Sequence, residues 1–277
     1  MTRQEIKLVI SDIDGTILND QHQLSPELKE QVARLQERKI PLVLASARSP
    51  LGMEPLAREL GLKQEPLAAY NGALIIKGDA ENYQVLAEHP LDRKELQKML
   101  TLLQEEFPDL AINLYSGLDW ISSQLNRWVQ LEAEITGESP QIKEDLLDGL
   151  DQLGAIHKML LIDEPEVIEK VYSYLEEQDF KELACYLSKA NYLEITARQV
   201  SKELALREIA SYYQLPLEAV MAIGDNYNDL PMIRLAGLGL AMGNSPQAVK
   251  EAAQASTLSN NQNGVALALA KYITKKK

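Results

Sequence analysis

Two apolar signatures alternate along the first third of the chain: short unbroken runs, and apolar residues recurring three or four positions apart. Ile6, Leu8, Val9 and Ile10 form a run of the kind expected in a parallel strand covered on both faces. Ser25-Pro26 follows, with serine suited to a helix N-cap and proline to the first helical position, and Leu28, Val32 and Leu35 recur behind it at helical spacing. Residues 41–45 read as a second buried strand, residues 55–60 as a short helix closed by Gly61, and residues 67–76 as a third extended run containing Asn71-Gly72. Strand and helix alternating in this way predict an α/β fold built on a Rossmann-like, doubly wound parallel sheet.

The pattern changes at about residue 79. Helical spacing appears at 95–106 and 166–177, and short strand-like pieces lie around it at 111–115, 120–123, 156–162 and 183–187. This stretch predicts a small α+β unit. The last third returns to the first pattern: strands at 192–196, 220–223 and 238–242, helices at 202–213 and 230–235, and a further helix capped by Ser245-Pro246. The expected organisation is a core of residues 1–80 and 190–277, interrupted by an inserted domain of residues 81–189.

Composition suits that division. A chain of 277 residues can build two cores, and 45% hydrophobic with 25% charged residues is ordinary for a globular protein. No apolar run approaches the roughly 20 residues of a membrane span. Residues 1–7 are polar and mixed in charge, unlike a secretory signal. A cytoplasmic location is therefore expected, and the lone Cys185, which has no disulfide partner in the chain, agrees with it. The formal charge of −13, from 41 acidic and 28 basic residues, disfavours nucleic acid and anionic membranes as partners. A small anionic substrate requires a local cation to reverse that field. Lys275 to Lys277 read as a solvated tail. The sequence is silent on oligomeric state, and a monomer is compatible with it.

Candidate chemistry sits at predicted strand ends. Asp12-Ile13-Asp14-Gly15-Thr16 directly follows the first strand, and ligands of open α/β sheets gather beyond the carboxyl ends of strands. Two carboxylates one residue apart can divide labour, one attacking while the other handles a proton. Gly15 permits a sharp turn with positive φ. A solvated acidic turn is the competing explanation. Gly224-Asp225-Asn226-Tyr227-Asn228-Asp229 places further carboxylates at another strand end. Several carboxylates converging on one point repel each other unless a divalent cation lies between them, and hard oxygen ligands suit Mg²⁺.

With these motifs in place, the chain resembles the haloacid dehalogenase superfamily of phosphohydrolases, in its Cof-type branch (subfamily IIB). The resemblance covers almost the whole chain. Asp12 to Thr16 resembles the first motif, Ala45-Ser46-Ala47-Arg48 the second and Val200-Ser201-Lys202 the third, while the segment from Gly224 to Asp229 resembles the fourth. Tyr70-Asn71-Gly72-Ala73 resembles a Cof-type signature; Ala241 to Asn244 and Ser259-Asn260 through Gly264-Val265 resemble the C-terminal pattern. The insert lies where such members carry a C2B-type cap.

The resemblance implies an Mg²⁺-dependent phosphatase acting on small phosphorylated metabolites, sugar phosphates or similar. It assigns Asp12 as nucleophile, forming an aspartyl phosphate, and Asp14 as the acid and base. Asp12, the Asp14 carbonyl and Asp225 would hold Mg²⁺, with Asp229 supporting the metal. Lys202, Ser46, Ala47, the Ile13 N–H and Asn228 would bind phosphate. Ala47 stands where glycine is frequent and would be strained if φ were positive. Glu203 follows Lys202 and would either weaken phosphate attraction or face solvent. His22, His89 and His157 show no ligand spacing. Arg48 fits a substrate contact and a structural ion pair equally. Trp120, Trp128 and Lys158 are within the insert, where packing is the simpler role for both tryptophans. Other functions compatible with the motifs are a phosphotransferase, a phosphatase dedicated to a pyridoxal or flavin phosphate, and an idle phosphometabolite sensor; intact Asp12 and Asp14 argue against the last.

Overall fold

Strand pairing in the computed structural model, which describes residues 5–274, divides the strands between two sheets. Lys275 to Lys277 and residues 1–4 of the polar N-terminal stretch lie outside the described residues. The chain opens with β1 (Leu8–Ser11), α1 (Pro26–Glu37), β2 (Leu42–Ala45), α2 (Pro50–Glu59), β3 (Leu67–Ala69), β4 (Leu74–Gly78) and β5 (Tyr83–Glu88). It continues through α3 (Arg93–Glu106), β6 (Ile112–Ser116), β7 (Asp119–Ser122), α4 (Arg127–Thr136), β8 (Gln141–Ile142), β9 (Lys158–Ile162), α5 (Pro165–Glu176), β10 (Leu183–Lys189) and β11 (Tyr192–Ala197). It ends with α6 (Lys202–Tyr212), β12 (Val220–Gly224), α7 (Leu230–Leu235), β13 (Leu238–Ala241), α8 (Gln247–Ala252), β14 (Ala255–Ser256) and α9 (Gly264–Leu269).

Among the described residues the first sheet runs β14-β13-β12-β1-β2-β3-β4-β5. Pairing is parallel from β14 to β3, and β4 returns antiparallel to β3. Leu8 and Ile10 pack in one core with Leu206 and Ile209 of α6 and Met232 and Ile233 of α7. Alternation along the strand sends Val9 to the opposite face, where it too is fully buried. Burial on both faces explains the unbroken apolar runs. The expected extended run at 67–76 is instead a hairpin, because Asn71 (φ 57°) and Gly72 (φ 97°) reverse the chain between β3 and β4. Helix α2 starts at Pro50, earlier than the expected residue 55, because Ser49 Oγ accepts from the Gly52 N–H and caps its first turn.

The second sheet runs β10-β11-β9-β6-β7-β8 and belongs to a separate unit. Leu96, Met99, Leu100 and Leu103 of α3 join Ile168, Val171 and Leu175 of α5 over Leu114, Met159, Leu161, Leu193 and Ile195. Period-2 alternation puts polar groups on the other face. There Lys158 Nζ lies 3.7 Å from Glu194 Oε2, and the Tyr192 hydroxyl donates to Glu132 Oε2 at 2.8 Å. Trp120 is buried and donates to Asn113 Oδ1 at 3.0 Å; half-buried Trp128 donates to Asp163 Oδ1 at 3.2 Å. Helix α4, which local pattern left undetected, is capped by Asn126 Oδ1 accepting from the Trp128 and Val129 N–H groups.

One unit comprises residues 5–48, 53–87 and 201–274, and the other residues 49–52 and 88–200. Strand β5 extends the first sheet, and β11 pairs antiparallel with β9 and β10 in the second. Among the described residues no helix is long and apolar enough to cross a membrane.

Candidate active site

Strand order reverses between β1 and β12, which makes their carboxyl ends a topological switch point. Asp12 follows β1 and Asp225 follows β12, and the Asp12 N–H donates to Ile223 O at 3.0 Å. The chain then turns through Ile13–Ile17 with Gly15 at φ 74°. Behind β12, Gly224 allows a close return of the chain: a β-carbon there would lie 2.4 Å from Asp229 Cγ. Asp229 Oδ2 accepts from the Asp225 and Asn226 N–H groups at 2.9 and 3.0 Å, so its carboxylate orders the loop.

Lys202 opens α6, whose cap is Ser201, its hydroxyl accepting from the Leu204 N–H at 3.2 Å. The ammonium is fully buried and donates to Asp12 Oδ1 and to Asp229 Oδ1, each at 2.5 Å. Oxygens of Asp12, Asp225 and Asp229 lie within 4.8 Å of one another. Three carboxylates thus face one lysine, and negative charge is in excess. Burial, with the Asp229 and Asp225 charges, pushes the Asp12 carboxyl up to about 8 despite Lys202. Burial and Asp229 push Asp225 to about 6. Burial disfavours charge on Lys202, but Asp12 and Asp229 outweigh it and hold the ammonium above the usual lysine range.

The donor set fits a hard divalent cation. All three groups are carboxylates, among the described residues no thiolate or imidazole belongs to the cluster, and Lys202 is the cation paired with Asp12 and Asp229. Asp229 accepts from Lys202 and two backbone N–H groups, and Asp225 from the neutral side chains of Thr16 and Asn244, which makes Asp12 and Asp225 the better candidates for direct ligation.

The other sequence candidates fall around this cluster. The exposed Asp14 side chain is outside it and receives Arg48 Nε and Nη2 at 2.8 and 2.6 Å, so Arg48 makes an ion pair. Buried Ser46 follows β2, and its hydroxyl accepts from the Arg48 N–H at 3.2 Å. Ala47 is not among the residues with positive φ, so the frequent glycine is not required there. Asn228 Nδ2 donates to Asn71 Oδ1 at 3.2 Å and ties its loop to the β3–β4 turn. Ile13 is buried, and its carbonyl accepts from the Leu18 N–H at 3.1 Å. Glu203 pairs with Arg207 at 2.9 Å and faces solvent. His22 is exposed, whereas His157 is buried in the second unit, with Nδ1 accepting from the Gly117 N–H at 3.1 Å.

Two contributors had no assigned role from sequence. Thr16 Oγ1 donates to Asp225 Oδ1 at 3.1 Å, and Asn244 Nδ2 donates to Gly15 O at 2.8 Å. Thr16 stands inside the first motif and Asn244 inside the C-terminal pattern, so their positions in the motifs were the available signal.

Comparison with known proteins agrees with this fold. A family model described as haloacid dehalogenase-like hydrolase covers residues 9–269. A Haemophilus influenzae protein named "Putative phosphatase" is 36% identical over 264 residues, 95% of this chain and 97% of that protein. The Bacillus subtilis 5-amino-6-(5-phospho-D-ribitylamino)uracil phosphatase YcsE is 29% identical over 272 residues, 97% of this chain and 96% of its own. The crystal structure of a haloacid dehalogenase-like hydrolase from Bacteroides thetaiotaomicron is 31% identical with a TM-score of 0.86, covering 96% of this chain and 99% of that one. The chain belongs to the haloacid dehalogenase-like hydrolases. Within that family it is a phosphatase.

Proposed function

We propose that this phosphatase is Mg²⁺-dependent and hydrolyses small phosphorylated metabolites, sugar phosphates among them, through an aspartyl phosphate on Asp12. The observation that carries this reading is Lys202, wholly buried and shared between Asp12 and Asp229 at 2.5 Å. It puts a fixed positive charge beside a carboxylate at the switch point, where an incoming phosphate finds both a counter-charge and a nucleophile.

A phosphate dianion resists attack until its charge is offset. Asp12, Asp225 and the Asp14 carbonyl would hold Mg²⁺, with Asp229 in support, and the ion would supply Lewis-acid neutralisation of that charge. Lys202 adds a point charge, and Ser46, Ala47, the Ile13 N–H and the Asn228 amide take the remaining phosphate oxygens. An Asp12 oxygen attacks phosphorus while the bond to the leaving oxygen breaks. Asp14 delivers a proton to that oxygen, then accepts one from the water that attacks the aspartyl phosphate and restores the Asp12 carboxylate. Arg48 holds both Asp14 oxygens in an ion pair, which opens so that this carboxyl can carry the proton. The second unit serves as a cap that selects the leaving group.

The YcsE relative supports a ribityl phosphate as one member of the substrate panel. A binding-only sensor needs neither nucleophile nor proton shuttle, and this chain keeps both Asp12 and Asp14. The test is turnover of an aryl phosphate: activity with Mg²⁺, none in chelator, and inhibition by Ca²⁺, whose looser shell misplaces Asp12. Full activity in excess chelator would overturn the metal assignment. A screen of phosphorylated metabolites by kcat/KM then names the leaving group.

A further inference from the structure

The turn after β13 and the turn before α9 carry amides that no step above uses. Asn244 Nδ2 donates to Gly15 O at 2.8 Å and to Asp225 Oδ2 at 3.3 Å, while Asn244 Oδ1 accepts from the Asn260 N–H at 3.1 Å. A backbone N–H can only donate, so the Asn244 amide has one permitted orientation, with its NH₂ toward Gly15 and Asp225. Asp225 is thereby gripped at both oxygens, Oδ1 by Thr16 and Oδ2 by Asn244.

The contacts continue outward. Asn260 Nδ2 donates to Leu18 O at 3.1 Å and to Asp20 Oδ1 at 3.0 Å. Asn261 Nδ2 donates to Asp20 Oδ2 at 2.8 Å, and the Asp20 N–H donates back to Asn261 Oδ1 at 3.0 Å. The amides of Asn261 and Asn260 hold the Asp20 carboxyl below its ordinary range, so it stays an acceptor. The path from Asp225 through Asn244 and Asn260 to Asp20 joins the segments that follow β12, β13, β14 and β1, and it begins on a carboxylate of the acidic cluster.

We propose that Asn244 is a positioning residue for the metal site, holding the Asp225 carboxylate and the Gly15 carbonyl in register, and that Asp20 anchors this latch from the surface. The inference rests on the Mg²⁺ reading above. A ligand whose outer partners are removed must be ordered as the metal binds, a loss that typically reaches about 10- to 100-fold in affinity.

The experiment is calorimetric titration of Mg²⁺ into metal-free protein without substrate, for the native chain, Asn244→Ala and Asp20→Ala. The expected result is an Mg²⁺ Kd raised about 10- to 100-fold in Asn244→Ala and a smaller rise in Asp20→Ala. Turnover lost at low Mg²⁺ should return as Mg²⁺ is raised, which a merely structural defect would not do. A native-like Kd in folded Asn244→Ala, even with a lowered melting temperature, overturns the proposal. If Asn244→Ala fails to fold, the exposed Asp20→Ala decides: an unchanged Kd overturns the proposal there. A native chain that binds no Mg²⁺ removes the metal reading itself, and this inference with it.

Discussion

A β-carbon on Gly15 would stand 2.5 Å from Asp225 Oδ2, so the turn after β1 meets the carboxylate after β12 only because residue 15 has no side chain. The same residue adopts φ 74°, a conformation that costs other L-residues about 1–2 kcal/mol. Gly15→Ala should therefore lose at least that much stability in urea unfolding and should displace Asp225, weakening Mg²⁺ binding. An unchanged unfolding midpoint would contradict the close approach.

The two aspartates of the first motif should fail differently. Asp12→Asn should abolish turnover, because an amide is a far weaker nucleophile. Asp14→Asn keeps its backbone carbonyl but loses proton transfer, typically worth about 10²- to 10⁴-fold. An aryl leaving group needs little protonation, so dephosphorylation should suffer more than phosphorylation. Rapid quench should show an alkali-labile phosphoenzyme labelled on Asp12. A label on serine or histidine would refute the mechanism.

Lys202→Met would leave Asp12 and Asp229 buried without their shared cation. Removing one partner of a buried ion pair typically costs about 3–5 kcal/mol, and that loss should appear in denaturant unfolding of the metal-free protein. Saturating Mg²⁺ should recover part of it by linkage. Stability equal to the native chain in chelator would show that Lys202 is not the charge that holds the cluster together.

Stability of the metal-free protein should fall as pH rises from about 6.5 to about 8. Asp12 is raised to about 8 from an ordinary 3.8, so across that window the folded state holds a proton that the unfolded state has released. The slope of unfolding free energy with pH is then negative, and the proton-linked stability is lost as pH climbs through the folded value. His157 is shifted downward from 6.5, chiefly by burial, and acts below this window. Added Mg²⁺ should raise the melting temperature more at pH 8 than at pH 6.5, since binding requires ionised carboxylates. Melting curves with and without Mg²⁺ at both pH values check the sign.

Local sequence determined the parallel-sheet class and the presence of an insert. Unbroken apolar runs and helices with period 3.6 are written within a dozen residues. Asp12 and Asp225 were picked out because each follows a strand whose hydrophobic pattern is plain, whereas Ser46 and Lys202 came from the resemblance of Ala45-Ser46-Ala47-Arg48 and Val200-Ser201-Lys202 to family motifs. The N-cap at Ser25 was equally legible, since its hydroxyl accepts from the Leu28 N–H only three residues on.

Tertiary structure decided what depends on partners far away in the chain. The 192–197 strand has the same pattern in either sheet, and only its antiparallel pairing with β9 and β10 assigns it to the second. Asp14 and Arg48 meet across 34 positions, Lys202 and Asp12 across 190, and Asn244 and Gly15 across 229. Hydrogen bonds and ion pairs are satisfied by whatever the fold brings within about 3 Å, and no periodicity carries that information over such separations. Which oxygens Asp229 has left, and which amide grips Asp225, were therefore decided by the way β1, β12 and β13 lie side by side.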